Sequence, residues 1–144
     1  MKKIFIGAPF TMYLKDNTFR KKPKIMICKI IEIIKELKVE MYSAHLNENW
    51  GTIKISPQQI VNNDLNNLKK CTHFICYLIN IKSIGTLIEL GVAISLKKEI
   101  LLISKPEIYQ KSDFVAGLTE LKFVRFCNID EHNVSDCIRE FITK

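Results

Sequence analysis

The sequence predicts an α/β fold: a doubly wound, parallel five-stranded sheet of the flavodoxin-like or Rossmann-like kind, with helices on both faces. Short β-type runs alternate with helical patterns along the chain, which is typical of parallel strands joined by right-handed helical crossovers. The run His73–Ile79 is apolar at almost every position, as expected of a strand buried on both faces. With 144 residues, of which 47% are hydrophobic and 26% charged, the chain suits one globular domain over residues 1–144.

The first half of the chain predicts two strands and two helices. Lys3–Gly7 is a strand that ends at the following Ala-Pro pair. Lys24–Lys38 repeats isoleucine and leucine at spacings of three and four residues, which predicts an amphipathic helix. Val39–Ala44 is the second strand. The second helix, Pro57–Lys70, follows a serine N-cap, has proline at its first position and glutamine completing a capping box.

The second half continues the alternation. After the strand His73–Ile79, a loop at Asn80–Gly85 leads into an apolar helical pattern at Thr86–Lys97. The remaining predicted elements, in chain order, are the strand Glu99–Ser104, a weaker helix Ser112–Leu118, the strand Lys122–Cys127 and the helix Glu131–Lys144. In such sheets ligands bind outside the carboxyl ends of the strands. Functional residues are therefore expected in the segments Gly7–Tyr13, Ala44–Ile55, Ile79–Glu89 and Lys105–Gly117.

The chain is basic, with 22 Lys and Arg against 15 Asp and Glu and a formal net charge of +7. This balance favours anionic partners, although the lysines are spread along the chain. The one dense basic run, Arg20-Lys21-Lys22-Pro23-Lys24, is interpreted as a solvated loop and helix start, and it would equally suit a small phosphorylated ligand. Nucleic-acid binding is not expected, because no recognisable motif or interleaved aromatic platform accompanies the charge.

The five cysteines are odd in number, scattered and free of any Cys-x-x-Cys pair, so they are interpreted as reduced thiols, mostly in the core. No metal and no cofactor are expected. No apolar stretch approaches the ~18 residues of a membrane helix. The short apolar run after the first lysines is too brief for a signal peptide. We therefore expect a cytoplasmic protein without membrane association.

Two carboxylates stand at unusual positions. On the predicted helix Pro57–Lys70, Asp64 falls within the arc occupied by Ile60, Val61, Leu65 and Leu68. Burial of an aspartate among such residues costs several kcal/mol unless the group is paired or hydrogen-bonded. Asp64 is therefore either a structural residue bonded to a neighbouring backbone group or tyrosine, or a carboxylate of a functional site.

Glu89 is the only charged residue between Ile84 and Leu96. One interpretation is a capping box in which Glu89 bonds the Thr86 amide. The other is catalytic, because the preceding Lys-Ser-Ile-Gly turn at a helix start offers amide groups and a hydroxyl to an anion. A carboxylate beside such an anion site suits glycosidic cleavage, since it can stabilise or trap an oxocarbenium-like centre while a second acid assists the leaving group.

The segment Ile4–Thr11, which includes Phe10 and Thr11, opens the chain, and the segment Ser83-Ile84-Gly85-Thr86-Leu87-Ile88-Glu89-Leu90-Gly91 contains the pattern S-x-G-T-x-x-E-x-G. Asp64 lies 25 residues before Glu89. In these features, and from Lys3 to about Cys127, the chain resembles the nucleoside 2-deoxyribosyltransferase-like superfamily. Ile4–Thr11 resembles the first strand and substrate loop of that superfamily, and S-x-G-T-x-x-E-x-G matches its most specific motif.

Two further segments resemble particular members. One segment matches the H-x-x-E-x-W-G pattern of the cytidylate hydrolases of nucleoside-antibiotic pathways, with His45, Glu48, Trp50 and Gly51 at the defined positions. Ser112 resembles a serine of the deoxynucleoside monophosphate N-hydrolases that binds substrate phosphate from the neighbouring subunit. The resemblance thus implies a nucleotide substrate and a homodimer with composite active sites.

The resemblance also implies roles for individual residues. Glu89 would be the nucleophile or oxocarbenium stabiliser, and Asp64 the partner acid. The implied substrate-binding residues are Phe10, Thr11, His45, Trp50, Ser83, Gly85, Thr86 and Ser112, of which Ser83, Gly85 and Ser112 would bind phosphate. For His45 and Trp50 the alternative is a structural role in the core.

The expected activity is hydrolysis of a nucleoside 5′-monophosphate, a pyrimidine nucleotide such as CMP, to free base and (deoxy)ribose 5-phosphate. Deoxyribosyltransferases usually carry a tyrosine at the end of the first strand, where this chain has Phe5 or Ile6, and an asparagine-containing tail that Phe141–Lys144 lacks. Both departures favour hydrolysis over base transfer. The alternatives are a nucleoside 2-deoxyribosyltransferase and a TIR-like nucleotide-sensing or NAD-cleaving signalling module.

Overall fold

The computed structural model describes residues 1–16 and 18–144. Its main sheet is fully parallel with the strand order β4-β1-β5-β6-β7, and β2 and β3 form a small antiparallel hairpin. The strands of the described residues are β1 Lys3–Gly7, β2 Leu14–Lys15, β3 Thr18–Phe19, β4 Glu40–Ser43, β5 His73–Tyr77, β6 Glu99–Ser104 and β7 Val124–Asn128. The predicted doubly wound, five-stranded parallel sheet is confirmed.

Helices cover both faces of this sheet. They are α1 Lys21–Glu36, α2 Ala44–Asn47, α3 Pro57–Lys70, α4 Ile84–Ser95, α5 Pro106–Tyr109, α6 Asp113–Gly117 and α7 Val134–Thr143. Ile30 of α1 and Ile138 of α7 are fully buried in the core on one face. Leu68 of α3 and Ala93 of α4 are fully buried in the core on the other face. None of the described helices is long and apolar enough to span a membrane.

Several boundaries differ from the predicted ones. Helix α1 begins at Lys21, three residues earlier than predicted, because Pro23 falls in the first turn, where a missing amide N–H costs nothing. Helix α4 begins at Ile84 with Ser83 at the N-cap position, two residues earlier than predicted. The last helix begins later than predicted, because the Asn133 side chain accepts a hydrogen bond from the Asp136 amide and caps it.

The sequence did not predict the β2–β3 hairpin or the short helices α2 and α5, because segments of two to four residues show no hydrophobic periodicity. The hairpin lies in the connection between β1 and α1, and α2 directly follows β4. Since all strands of the main sheet are parallel, the connections that leave β1, β4 and β5 begin at the same carboxyl edge. These three connections surround the candidate site.

Candidate active site

A cavity of about 850 Å³ opens at the carboxyl edge of the sheet. Its wall is formed by the connections after β1 and β4, by α3 and by the start of α4, and most of the wall is apolar. Eight of the ten predicted site residues lie in it: Phe10, Thr11, His45, Asp64, Ser83, Gly85, Thr86 and Glu89. Trp50 and Ser112 do not.

Glu89 lies in the wall of this cavity against the end of β1. A Cβ atom placed on Gly7 would lie 3.7 Å from Oε1 of Glu89, so the carboxyl group packs beside the end of β1. Burial raises the pKa of Glu89 well above its ordinary value, and the nearby charge of Asp64 raises it further. The capping-box interpretation is wrong: because α4 begins at Ile84, Thr86 is not its N-cap and Glu89 is the sixth helical residue.

Asp64 combines both roles that its sequence position allowed. It lines the cavity, and its Oδ1 accepts a hydrogen bond of 2.9 Å from the hydroxyl of Tyr42 at the end of β4. Burial raises the pKa of Asp64, while the bond from Tyr42 acts in the opposite direction. Tyr42 was missed by sequence reasoning, although its place in the last part of a strand at the carboxyl edge was a usable signal.

Glu48 is a third carboxyl group in the cavity wall, and sequence reasoning noted it only as part of a motif. It is the residue between α2 and the following 3₁₀ turn, Asn49–Gly51. Burial raises the pKa of Glu48, and the charge of Asp64 raises it further. Three carboxyl groups with raised pKa values therefore line one apolar cavity, where each holds its proton more tightly than it would in water.

His45 lies in α2 and is almost completely buried. Its Nε2 lies 2.9 Å from the carbonyl oxygen of Pro9, which can only accept, so Nε2 carries the proton. Burial lowers the pKa of His45 to about 4, so the ring is neutral and Nδ1 is an acceptor without a partner among the described residues. The bond to Pro9 joins the connection after β4 to that after β1, and the His45 ring packs 4.8 Å from that of Phe10.

Trp50 lies behind His45 rather than in the cavity wall. Its ring centroid is 5.4 Å from that of His45 and 5.2 Å from that of Phe19, and Nζ of Lys24 lies 4.8 Å from the indole. The backbone of Trp50 is left-handed, with φ of 56°, and the next residue, Gly51, has φ of 93°. In this structure Trp50 supports His45 from behind, and its predicted contact with substrate remains a prediction.

The start of α4 has the features expected of a phosphate site. The hydroxyls of Ser83 and Thr86 lie 2.7 Å apart, and both residues are buried. No heavy atom lies within 4 Å of the place a Cβ would take on Gly85, so the backbone is accessible there. The first amides of a helix have no intrahelical acceptors and attract anions. Lys82 adds a positive charge to the same wall.

Ser112 lies outside the cavity. Its Oγ accepts a hydrogen bond of 3.3 Å from the Val115 amide and caps the short helix α6. Its predicted role in phosphate binding requires a second subunit and remains a prediction. In the described part of the chain, no three His, Cys, Asp or Glu side chains are grouped so as to hold a metal ion.

No protein-family model and no curated protein matches this chain. Known structures do match it over nearly its whole length. The CMP N-glycosidase BcmB of Clostridium botulinum has a TM-score of 0.70 at 23% identity, covering 98% of both chains. BlsM, determined in solution, has a TM-score of 0.77 at 21% identity, covering 98% of this chain and 91% of its own.

A third similar structure is the 2-deoxyribosyltransferase of Bacillus psychrosaccharolyticus, with a TM-score of 0.62 at 18% identity, covering 94% of this chain and 95% of that one. The glycosidase and the transferase both process nucleosides or nucleotides. At these identities the similarity establishes architecture and not substrate. The chain shares the fold of these three structures, and one of them is a 2-deoxyribosyltransferase, the kind of enzyme that its sequence motifs resemble.

Proposed function

We propose that this protein is an enzyme that hydrolyses the N-glycosidic bond of a nucleoside 5′-monophosphate. The proposed substrate is a pyrimidine nucleotide such as CMP, and the products are free base and (deoxy)ribose 5-phosphate. The observation that carries the proposal is the Glu89 carboxyl group in an apolar cavity, one and a half helical turns after an accessible α4 N-terminus. The likeness in fold to a CMP N-glycosidase supports the same reaction.

The surroundings of Glu89 suit a reaction in which positive charge develops. Burial disfavours the ionised carboxylate and so raises the pKa of Glu89. An oxocarbenium-like sugar would compensate that charge, so the carboxylate gains more in the transition state than in the ground state. Glu89 then either stabilises this centre or bonds covalently to the anomeric carbon until water displaces it.

Asp64 is the proposed partner acid. Burial raises the pKa of Asp64 above that of an exposed aspartate, which brings it closer to the pKa that suits a group passing a proton to the departing base. Tyr42 holds one carboxylate oxygen and thereby fixes the orientation of the group. Overall, one water molecule is consumed: its hydroxyl group goes to the anomeric carbon and its proton to the base.

The 5′-phosphate is proposed to bind at the start of α4. Ser83, Gly85 and Thr86 offer hydroxyl and amide donors, and Lys82 offers a charge. The helix places Glu89 on the same wall as these donors, so that a phosphate held there would bring the sugar towards the carboxylate. This arrangement predicts a large preference for CMP over cytidine. Equal rates on the two compounds would contradict the phosphate site.

We also propose that the active unit is a homodimer. Ile84 and Ile88 of α4 are 72% and 61% exposed, and Phe114 beside Ser112 is 76% exposed. Large apolar side chains that are exposed on two helices favour coverage by another protein surface. In a symmetric dimer the contact would cover α4 of one subunit with α6 of the other and bring Ser112 to the partner's phosphate.

A substrate panel tests the proposed reaction. The purified protein is incubated separately with CMP, dCMP, cytidine, NAD, and deoxycytidine plus adenine, and free base is measured by chromatography. Release of cytosine from a monophosphate, with little release from cytidine, is expected. Formation of deoxyadenosine would instead support a deoxyribosyltransferase, and nicotinamide release would support a TIR-like activity.

Mixing two inactive variants tests the shared site. Glu89→Gln and Ser112→Trp homodimers are each expected to be inactive. After subunit exchange, a mixed dimer collects both lesions in one site and leaves the other intact, so part of the activity should return. An active protein that sediments only as a monomer, or demonstrated exchange without recovery, would contradict the composite site.

A further inference from the structure

A second cavity, of about 570 Å³, lies at the start of α1. Its wall consists of Tyr13, Arg20, Lys21, Lys22, Pro23, Tyr77 and Ile79. None of these residues lines the cavity that contains Glu89. The two cavities are nevertheless neighbours along the chain, because the connection between β1 and α1 supplies Phe10 and Thr11 to the first and Tyr13 and Arg20 to the second.

The charges around this second cavity are all of one sign. Arg20, Lys21 and Lys22 contribute three cations, and the wall contains no carboxylate. None of the three cations belongs to an ion pair within the described part of the chain. Three uncompensated positive charges around one concave surface attract an anion of more than one charge.

The backbone of α1 adds hydrogen-bond donors. The residue at the N-cap position, Arg20, makes no side-chain capping bond, and the first turn contains no acidic residue. The amides of Lys21 and Lys22 therefore have no side-chain acceptor from the cap, whereas the amide of Lys24 bonds to the carbonyl of Arg20. In a helix of 16 residues these amides also lie at the positive end of the helix dipole.

Tyr77 is a further observation, separate from the cations and from the α1 amides, that points to a ligand in this cavity. Its side chain, at the end of β5, is only 5% exposed, and the residue lies in the wall of this cavity. Its hydroxyl makes no hydrogen bond to another described residue, so it is free to donate to a molecule in this cavity. Burial raises the pKa of Tyr77 to about 12, and Tyr13 nearby raises it further, so Tyr77 remains a donor at neutral pH.

We propose that this cavity binds the phosphate group of a small phosphorylated molecule, at a site separate from the one that contains Glu89. The three cations and the amides of α1 contact the phosphate oxygens, and the Tyr77 hydroxyl donates from the sheet side. The volume exceeds that of a phosphate ion, so an organic portion fits beside Tyr13. An occupied site would hold the connection that also forms part of the first cavity.

Amide NMR titrations of the full chain test this site with two probes, inorganic phosphate and ribose 5-phosphate. The amide signals of Lys21 and Lys22 report the second cavity, and those of Gly85 and Thr86 report the first. With each probe at millimolar concentration, saturable shifts of the Lys21 and Lys22 signals are expected. Absence of saturable shifts at these two amides would overturn the proposal, whatever occurs at Gly85.

Variants separate a specific site from general charge attraction. The double variant Lys21→Gln/Lys22→Gln should weaken binding at least about tenfold, which corresponds to ~1.4 kcal/mol. Tyr77→Phe keeps the ring and should weaken binding severalfold. The matched control Lys69→Gln/Lys70→Gln removes two exposed charges at the end of α3, outside both cavities, and should leave the affinity within about twofold. Equal losses in the two double variants, or none with Tyr77→Phe, would overturn the proposal.

Discussion

The hydrogen bond from Tyr42 to Asp64 gives the most quantitative prediction of stability. Tyr42→Phe removes the hydroxyl and leaves the ring, which packs 5.3 Å from that of Phe5, in place. The lost bond is 2.9 Å long and joins a neutral donor to a carboxylate. Hydrogen bonds to charged groups contribute about 1.5–3 kcal/mol, and partial exposure of this pair reduces the expected loss to about 1–2 kcal/mol.

Urea denaturation at pH 7 measures this loss directly as a lower midpoint at unchanged slope. Because the bond favours the ionised form of Asp64, its contribution is present above the pKa of Asp64 and is lost as the pH falls through it. The cost of Tyr42→Phe should therefore shrink in acid. It should also be smaller in an Asp64→Asn background, which a double-mutant cycle measures.

A matched control is Tyr109→Phe. Tyr109 packs against Phe126 on the same face of the sheet as α3 and α4, away from the cavity, and its hydroxyl donates to no group within the described chain. Its removal should change stability by less than about 0.5 kcal/mol. If Tyr42→Phe changed stability as little as Tyr109→Phe, or if its cost were independent of pH, the proposed anchoring of Asp64 would be refuted.

Three further predictions concern residues around the same cavity. Gly7→Ala should lower the free energy of unfolding by about 1–3 kcal/mol, because the added carbon would lie 2.5 Å from Cζ of buried Phe74. The control is Gly91→Ala in α4, where the added Cβ would meet nothing within 4 Å outside its own helix backbone. In urea denaturation this variant should raise the free energy of unfolding by about 0.5–1 kcal/mol. Equal effects of the two variants would contradict the close packing at Gly7. Burial lowers the pKa of His45 from 6.5 to about 4, so the unfolded chain binds this proton more tightly than the folded one. Stability should therefore fall as the pH drops through that interval, by at most about 3 kcal/mol. A His45→Asn variant should lack this loss in thermal unfolding, and the same dependence of stability on pH in variant and wild type would contradict the prediction. For Glu89 the pH dependence has the opposite sign, because its raised pKa means that the folded state binds the proton more tightly than the unfolded chain. Stability should fall as the pH rises above 4.5, so at neutral pH Glu89→Gln should be more stable than the wild type by about 1 kcal/mol or more and should unfold at a higher temperature. An unchanged or lower unfolding temperature would contradict an unpaired buried carboxylate at this position.

The sheet and its helices could be predicted because their hydrophobic patterns are long. The apolar positions of α1 and the continuous run of β5 each specify burial without reference to the rest of the chain. The β2–β3 hairpin has only two residues in each strand, so no pattern distinguishes it from a loop. The left-handed backbone conformation at Trp50 could not be predicted from the sequence either, since tryptophan has no preference for positive φ.

Most of the predicted site residues lie in one cavity because they belong to the connections that leave the carboxyl edge or to the helices that follow them. Asp64 was recognisable as a carboxylate on an apolar helix face. The burial of Glu48 and the bond from Tyr42 depend on how α2, α3 and β4 pack together, which no local pattern encodes. The Thr86–Glu89 spacing suggested a capping box only because the sequence did not fix where α4 begins.

Base release by the wild type and by Glu89→Gln is the most direct measurement of the central claim. The purified proteins are incubated with CMP and dCMP, cytosine is measured by chromatography, and thermal unfolding confirms that the variant is folded. The wild type should release cytosine together with an equal amount of sugar phosphate, and the folded variant should be slower by about 10²–10³-fold, as for loss of one preorganised electrostatic group. A folded variant that retains more than about a tenth of the wild-type rate, a barrier change below ~1.4 kcal/mol, would contradict the role of Glu89.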